Sequence, residues 1–154
     1  MAVEKTIIIN YGESDNGKTS SIVKVYEKLS THYPHELLTD PAWDDINATV
    51  TINNVLVGII SHGDNGSNYE VVLDEMVSIG CTIILTAQSR YAKEVENAIN
   101  KYAPSQYTIW WTENARLYKQ TEDGSYIAPK YVTNRFNEQW AEEIANLIES
   151  WCYA

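Results

Sequence analysis

The sequence predicts an α/β fold in three layers, with helices on both faces of a mainly parallel sheet. Short apolar runs rich in β-branched residues alternate with amphipathic stretches, which indicates strands alternating with covering helices. The run from Thr6 to Asn10 is nearly all apolar, as expected of a strand covered on both faces. From Lys18 to about Ser30, apolar residues recur at three- and four-residue spacing, which predicts a helix with one buried face. The length of 154 residues is typical of a single domain, here 1–154.

One antiparallel feature is expected within this sheet. Ala48 to Asn53 and Val55 to Ser61 are β-rich runs that meet at Asn53-Asn54. Asparagine tolerates the positive φ that a tight hairpin turn requires. We therefore predict a β-hairpin from about Ala48 to Ser61.

The remaining elements follow from shorter signals. Ser67 and Glu70 have the spacing of a capping box before a helix, and Gly80 is placed to cap that helix at its end. The other expected elements are a short strand at His35 to Thr39, a strand at Cys81 to Thr86 followed by a helix, a strand at Tyr107 to Trp111, a loop from Glu113 to Thr133 with a turn or short hairpin at Asp123-Gly124, and a helix from about Asn134 to Cys152 with Phe136, Trp140, Ile144, Leu147, Ile148 and Trp151 on one face.

Charge and cysteine content exclude several classes of function. The net charge of -10 and the pI near 4.6 argue against binding of nucleic acids or anionic membranes, which requires a basic surface. Cys81 and Cys152 lie far apart, so neither a disulfide framework nor a zinc site is indicated. The sequence has neither a membrane-spanning apolar run nor a signal-peptide pattern, and we expect a cytoplasmic protein.

The segment from Gly12 to Thr19 reads Gly-Glu-Ser-Asp-Asn-Gly-Lys-Thr and matches the pattern Gly-x-x-x-x-Gly-Lys-[Ser/Thr]. A predicted strand precedes it and a predicted helix begins within it. Two glycines let the backbone curl so that N–H groups point at phosphate oxygens, and the helix N-terminus adds partial positive charge. The alternative is a glycine-containing strand-to-helix turn without a ligand.

Individual residues of this segment have expected roles. Lys18 would reach the β- and γ-phosphates of a nucleoside triphosphate, and the Thr19 hydroxyl would bind Mg²⁺. Glu13 and Asp15 would repel phosphate if they faced it, so they are expected to face solvent or to help hold metal or water. The expected nucleotide-binding residues here are Gly12, Ser14, Asp15, Asn16, Gly17, Lys18, Thr19 and Ser20.

On these residues the chain resembles the P-loop nucleoside triphosphatase superfamily, and within it small, mostly uncharacterised kinase-like ATP-binding proteins. The resemblance extends to Ser61-His62-Gly63-Asp64, to the run from Cys81 to Arg90 and to Trp110-Trp111, although only the phosphate loop is diagnostic. It implies a three-layer P-loop fold with bound Mg²⁺ and nucleotide, and it names no substrate.

Superfamily members usually place a carboxylate at the end of a second apolar strand, where it orients Mg²⁺. Asp64 is the candidate here, as a metal-binding and catalytic residue. Alternatively, Asp64-Asn65-Gly66 forms an ordinary turn and Ser61 holds the metal's water. His62 is a candidate base, or a structural histidine.

Arg90 follows a predicted strand at the same edge and is expected to stabilise charge on the transferring phosphoryl group. The alternative is a helix-start arginine paired with Glu94. Arg116 and Lys119 lie in the long loop, where nucleotide kinases often carry base-contacting or lid residues, so the resemblance implies that Arg116 contacts the nucleotide. The alternative for both residues is simple surface charge. A guanine-reading motif is not matched at Thr112 to Ala115, which favours ATP over GTP.

Three functions remain open from the sequence. The first is a small phosphotransferase that uses Mg-ATP, with Lys18, Asp64 and Arg90 as catalytic residues and a small acceptor near Trp43, Asp44 and Asp45. The second is a nucleotide-dependent switch or slow ATPase acting on a protein partner. The third is a module that binds nucleotide without turnover.

Overall fold

The computed structural model describes residues 3–12, 18–38, 45–66, 68–114, 119–127 and 130–154. Eight strands and four helices are assigned to them. In chain order they are β1 (Thr6–Gly12), α1 (Lys18–Ser30), β2 (His35–Leu37), β3 (Asn47–Ile52), β4 (Val55–Ile60), α2 (Tyr69–Ser78), β5 (Ile83–Ser89), α3 (Lys93–Asn100), β6 (Thr108–Thr112), β7 (Lys119–Gln120), β8 (Tyr126–Ile127) and α4 (Lys130–Cys152).

Six strands form one mixed sheet in the order β2-β3-β4-β5-β1-β6. β1 pairs in parallel with both β5 and β6, and β4 pairs in parallel with β5. β3 is antiparallel to its neighbours β2 and β4, so it runs opposite to the other five strands. The predicted α/β class is confirmed, and the carboxyl ends of β4, β5, β1 and β6 share one edge of the sheet.

Helices cover both faces of this sheet, because alternate residues of each buried strand point to opposite sides. On β1, Ile8 contacts the apolar core beneath α1 and α4. Its neighbours Ile7 and Ile9 contact the core beneath α2 and α3. A residue's position in a strand therefore decides which pair of helices it faces. No helix among the described residues has the length and apolar character needed to cross a membrane.

The predicted hairpin is confirmed as β3 and β4. The turn residues Asn53 and Asn54 have φ of 48° and 65°, the left-handed conformation that asparagine tolerates. The Asn53 side-chain amide donates to the Cys152 carbonyl at 2.9 Å, which ties the turn to the end of α4.

Helix α2 ends as predicted but begins differently. Gly80 has φ of 94°, and the Cys81 N–H donates to the Met76 carbonyl at 3.1 Å, as in a Schellman cap. At the start, the N-cap residue is Asn68, whose side chain makes no capping hydrogen bond. The prediction of Ser67 as the N-cap is therefore wrong by one residue, and Ser67 itself lies outside the described residues.

Other elements differ from prediction at their ends. β5 extends beyond Thr86 to Ser89, because its polar last residues continue the pairing with β1. α4 begins four residues before the predicted Asn134. The hairpin expected in the long loop is present as β7 and β8.

The face of α4 that meets the core is rotated from the predicted one. Phe136, Leu147 and Trp151 are only half-buried, whereas small and polar residues occupy much of the contact. The buried residues of α4 are Asn137, Ala141, Ile144, Ala145, Ile148 and Cys152. The apolar pattern missed this face because close approach of α4 to α1 favours small side chains over large ones.

Candidate functional site

The candidate site begins where the central strand β1 leads into α1. β1 ends at the buried Gly12 and α1 begins at Lys18, so residues 13–17 connect the carboxyl end of β1 to α1. The Gly12 carbonyl accepts the Arg90 backbone N–H at 2.8 Å. Residues 13–17 lie outside the described residues. They include the predicted binding residues Ser14, Asp15, Asn16 and Gly17.

The first turn of α1 presents its three candidate residues to different environments. The Lys18 side chain is only 6 % exposed, which is unusual because lysine is rarely buried without polar or anionic neighbours. Thr19 is half-buried, and Ser20 is exposed. Lys18 and Thr19 thus lie at the inner side of the helix start, and Ser20 lies further out.

Asp64 reaches the same edge because of the glycine before it. The Gly63 carbonyl accepts the Ser89 N–H at 2.9 Å, so the segment after β4 stays beside the end of β5, in the register of the two strands. A Cβ at Gly63 would lie 1.9 Å from the Ala87 carbonyl oxygen, and only glycine allows this approach. The Ser89 hydroxyl donates to the Asp64 carboxylate. Since Ser89 is the register partner of Gly12, Asp64 is one strand away from Gly12.

Helix α3 holds the rest of this turn. The Asn65 side-chain oxygen accepts the Glu94 N–H at 3.0 Å, and the Glu94 carboxylate accepts the Gly66 N–H at 2.8 Å. Glu94, the alternative ion-pair partner expected for Arg90, therefore bonds to the Asp64 turn. Asp64-Asn65-Gly66 does form a turn, and that turn is fixed at the sheet edge by reciprocal bonds to the start of α3.

The backbone of Arg90 lies beside Gly12. It directly follows β5, and its N–H bonds to the carbonyl of Gly12. Its side chain is exposed. The structure thus brings Gly12, Lys18, Asp64 and Arg90 to one edge of the sheet, although they come from four separate parts of the chain.

Ser61 and His62 have structural contacts. The Ser61 hydroxyl is fully buried and accepts the Ile46 N–H at 2.7 Å. The His62 Nε2 is 3.1 Å from the Asn47 side-chain oxygen, so Nε2 carries the proton. The His62 ring meets the Tyr69 ring edge-to-face at 5.8 Å. Burial lowers the pKa of His62, against a smaller opposing effect of the Asp45 and Asp64 carboxylates.

A buried polar cluster beneath the start of α1 was missed from the sequence. The Asn114 amide donates to the Ser21 hydroxyl at 2.6 Å and to the Asn137 oxygen at 2.8 Å. The Asn10 amide donates to the Asn114 oxygen at 2.8 Å. These four side chains join β1, α1, α4 and the segment after β6. The one available signal is the asparagine Asn137, which has the spacing of the buried residues of α4.

The Asn10 side chain is fully buried, and its oxygen has no hydrogen-bond partner among the described residues. A buried acceptor without a partner costs stability, about 1–3 kcal/mol. Sites that retain such groups are often functional. Asn10 is two residues before Gly12, so this cost is located at the carboxyl end of β1.

Most of the remaining candidate residues lie outside the described part of the chain. Arg116 lies outside the described residues, as do Trp43 and Asp44 of the expected acceptor site. Lys119 begins β7. In the part of the chain that the structure describes, no group of three or more His, Cys, Asp or Glu side chains is arranged to hold a metal ion.

Comparisons with protein-family models, curated proteins and solved structures returned no match for this chain. Its function is therefore inferred from the chemistry and geometry of its own residues. The group formed by Gly12, Lys18, Asp64 and Arg90 is the strongest such arrangement at the carboxyl edge of the sheet, where ligands of open α/β sheets bind.

Protonation of His62 should destabilise the fold. Because the pKa of His62 is lowered in the folded state, the neutral form is favoured there, and its contribution to stability is present above the unfolded-state value near 6.5 and is lost as pH falls. Wild type should lose unfolding free energy between pH 7.5 and 5.5, with a slope from this residue of at most about 1.4 kcal/mol per pH unit.

Urea unfolding of His62→Gln at the two pH values measures that contribution. The variant should show a smaller loss between them than wild type. His32→Gln, at an exposed position, is the control and should behave as wild type. An equal pH dependence in wild type and His62→Gln would contradict the assignment.

Proposed function

We propose that this protein is a P-loop-type phosphotransferase that binds Mg-ATP at Gly12 to Thr19 and transfers a phosphoryl group to a small acceptor. One observation carries the proposal. The carboxyl end of a central parallel strand leads into a helix N-terminus across a segment that reads Gly-x-x-x-x-Gly-Lys-Thr. This is the context in which that pattern binds phosphate, because the helix dipole and the inward N–H groups both favour an anion.

The residues present are compatible with Mg-ATP. Lys18 supplies positive charge at the helix start, and its low exposure would strengthen its attraction to phosphate, since burial lowers the local dielectric. Thr19 and Asp64 offer a hydroxyl and a carboxylate at the same edge. Mg²⁺ is commonly held by one or two such oxygen ligands together with phosphates and water, so a preformed protein cage is not required.

Each residue has a distinct role in the proposal. When bound, Mg-ATP would supply the phosphoryl group and neutralise part of its charge. Lys18 binds the terminal phosphates. The hydrogen bond from Ser89 fixes the orientation of the Asp64 carboxylate. A carboxylate with a fixed orientation suits a residue that positions the metal and its water. The exposed Arg90 guanidinium stabilises the charge on the phosphoryl group as it is transferred.

Removing the Lys18 charge should weaken nucleotide binding. Lys18→Ala is expected to reduce Mg-ATP affinity at least about tenfold, which corresponds to about 1.4 kcal/mol, as measured by isothermal titration calorimetry. Lys24→Ala is the matched control, because Lys24 lies on the same helix and its ammonium is 3.6 Å from the Glu138 carboxylate at the surface. Wild-type affinity in a Lys18→Ala protein with a normal thermal transition would contradict the binding proposal.

Arg90 should affect turnover more than binding. Arg90→Ala is expected to lower kcat about a hundredfold, or about 2.7 kcal/mol of barrier, with little change in Mg-ATP affinity, because its charge acts mainly in the transition state. ADP release is measured with Mg-ATP alone and with pooled metabolites. Arg135→Ala, on the exposed side of α4, is the control. Equal kcat for Arg90→Ala and wild type would remove Arg90 from the catalytic group.

A further inference from the structure

A separate cleft opens on the α3 side of the same sheet edge. Its volume is about 680 Å³, within the range of small-molecule sites. β5, β1 and β6 form its floor and α3 forms one wall. The lining residues are Tyr11, Gln88, Glu96, Ile99, Asn100, Ile109, Trp111, Thr112 and Glu113. The proposed nucleotide site begins on the other face, because α1 packs there.

Gln88 directs an unused polar group into this cleft. Its side chain is only 6 % exposed, and its amide makes no hydrogen bond to any residue that the structure describes. By contrast, Thr86, two residues earlier on the same strand face, bonds to the Tyr69 hydroxyl at 2.7 Å. The amide atoms of Gln88 reach the water of the cleft, since among the described residues only Asn10 Oδ1 is a fully buried side-chain N or O atom without a partner. The Gln88 amide is therefore placed to bond a ligand.

Two aromatic rings form the outer part of the cleft. The rings of Tyr11 and Trp111 meet edge-to-face, with centroids 5.7 Å apart. Trp111 is 58 % exposed, although indole is among the side chains that gain most from burial. Perpendicular rings with one exposed face offer π-electron density to a cation, and tryptophan binds cations best among the aromatic residues.

The charge of the cleft is negative. Among the described residues, the lining contains the carboxylates of Glu96 and Glu113 and no Lys, Arg or His. The Glu96 carboxylate is 3.1 Å from the Lys93 ammonium, in a pair with both side chains well exposed, and such pairs are weak. Glu113 is exposed and forms no ion pair in the described part of the chain. A cation in the cleft would thus meet at least one uncompensated carboxylate.

We propose that this cleft binds a small organic cation that carries a hydroxyl group, such as an amino alcohol. The ammonium group contacts the Trp111 ring and the Glu113 carboxylate, and the hydroxyl bonds to the Gln88 amide. Gln88 is the register partner of Tyr11, which directly precedes Gly12, so the hydroxyl end lies toward the proposed phosphate loop. The assignment of this cation as the phosphoryl acceptor rests on the proposed function, whereas its binding does not.

Calorimetry without nucleotide tests the binding site by itself. The probes are choline and ethanolamine, and 3,3-dimethyl-1-butanol is the neutral isostere of choline. Choline should bind at least about tenfold more tightly than the isostere, because only choline has the charge that the ring and carboxylate attract. No binding of either cation to wild type, or equal binding of choline and its isostere, would overturn the proposal.

Variants test the individual contacts. Glu113→Gln should weaken binding of the tighter cation about fivefold, and Trp111→Ala and Gln88→Leu should weaken it further. Glu75→Gln, an equal charge change at an exposed position of α2, should leave it unchanged. Because Glu113 is exposed, its variant is expected to fold even if a change at Gln88 or Trp111 prevents folding. Wild-type affinity in Glu113→Gln would contradict the cation site.

The two proposals can fail separately. Cation binding that persists in a protein that binds no Mg-ATP would leave the cleft standing and remove only the acceptor role. If Mg-ATP binds, the cation that binds more tightly should increase ADP release, and Glu113→Gln should raise its KM with little change in kcat. Release that does not depend on the cation would contradict the acceptor role.

Discussion

The parallel pairing of β1 with β5 is the constraint on which the rest of the site depends. Its register runs from Thr6 opposite Ile83 to Gly12 opposite Ser89. The last pair places Gly12 beside Ser89, the residue that bonds to Asp64, and Arg90 directly follows Ser89. A shift of one residue in this register would turn the side chains of β5 to the opposite faces of the sheet. Ser89 would then no longer bond to Asp64, and Gln88 would no longer line the cleft.

The last residues of β1 face two different polar environments, one on each side of the sheet. Asn10 points toward α1 and α4, where it bonds to Asn114 and fixes the strand before the loop. Tyr11 points toward α3 and lines the cleft with Gln88. Because side chains alternate along a strand, the consecutive residues Asn10 and Tyr11 face opposite sides of the sheet. A ligand on either side would lie near Gly12.

Local chemistry explains what could be predicted from the sequence. The Asn53-Asn54 turn, the Gly80 cap and the start of α1 at Lys18 each depend on a few neighbouring residues. The buried asparagines and the length of β5 depend on contacts between distant segments, and polar residues in a strand carry no apolar signal. Asp64 was recognised as a candidate, but its location required the contact of Gly63 with Ala87, which no periodicity indicates.

A crystal structure with Mg²⁺ and a non-hydrolysable ATP analogue tests the central claim most directly. If the loop from Gly12 to Thr19 binds phosphate, the β-phosphate oxygens will lie within hydrogen-bond distance of its backbone N–H groups and of the Lys18 ammonium, about 2.7–3.2 Å. The Thr19 hydroxyl will coordinate the metal. A folded protein that shows no analogue at saturating concentration, or holds its phosphates away from this loop, would contradict the account.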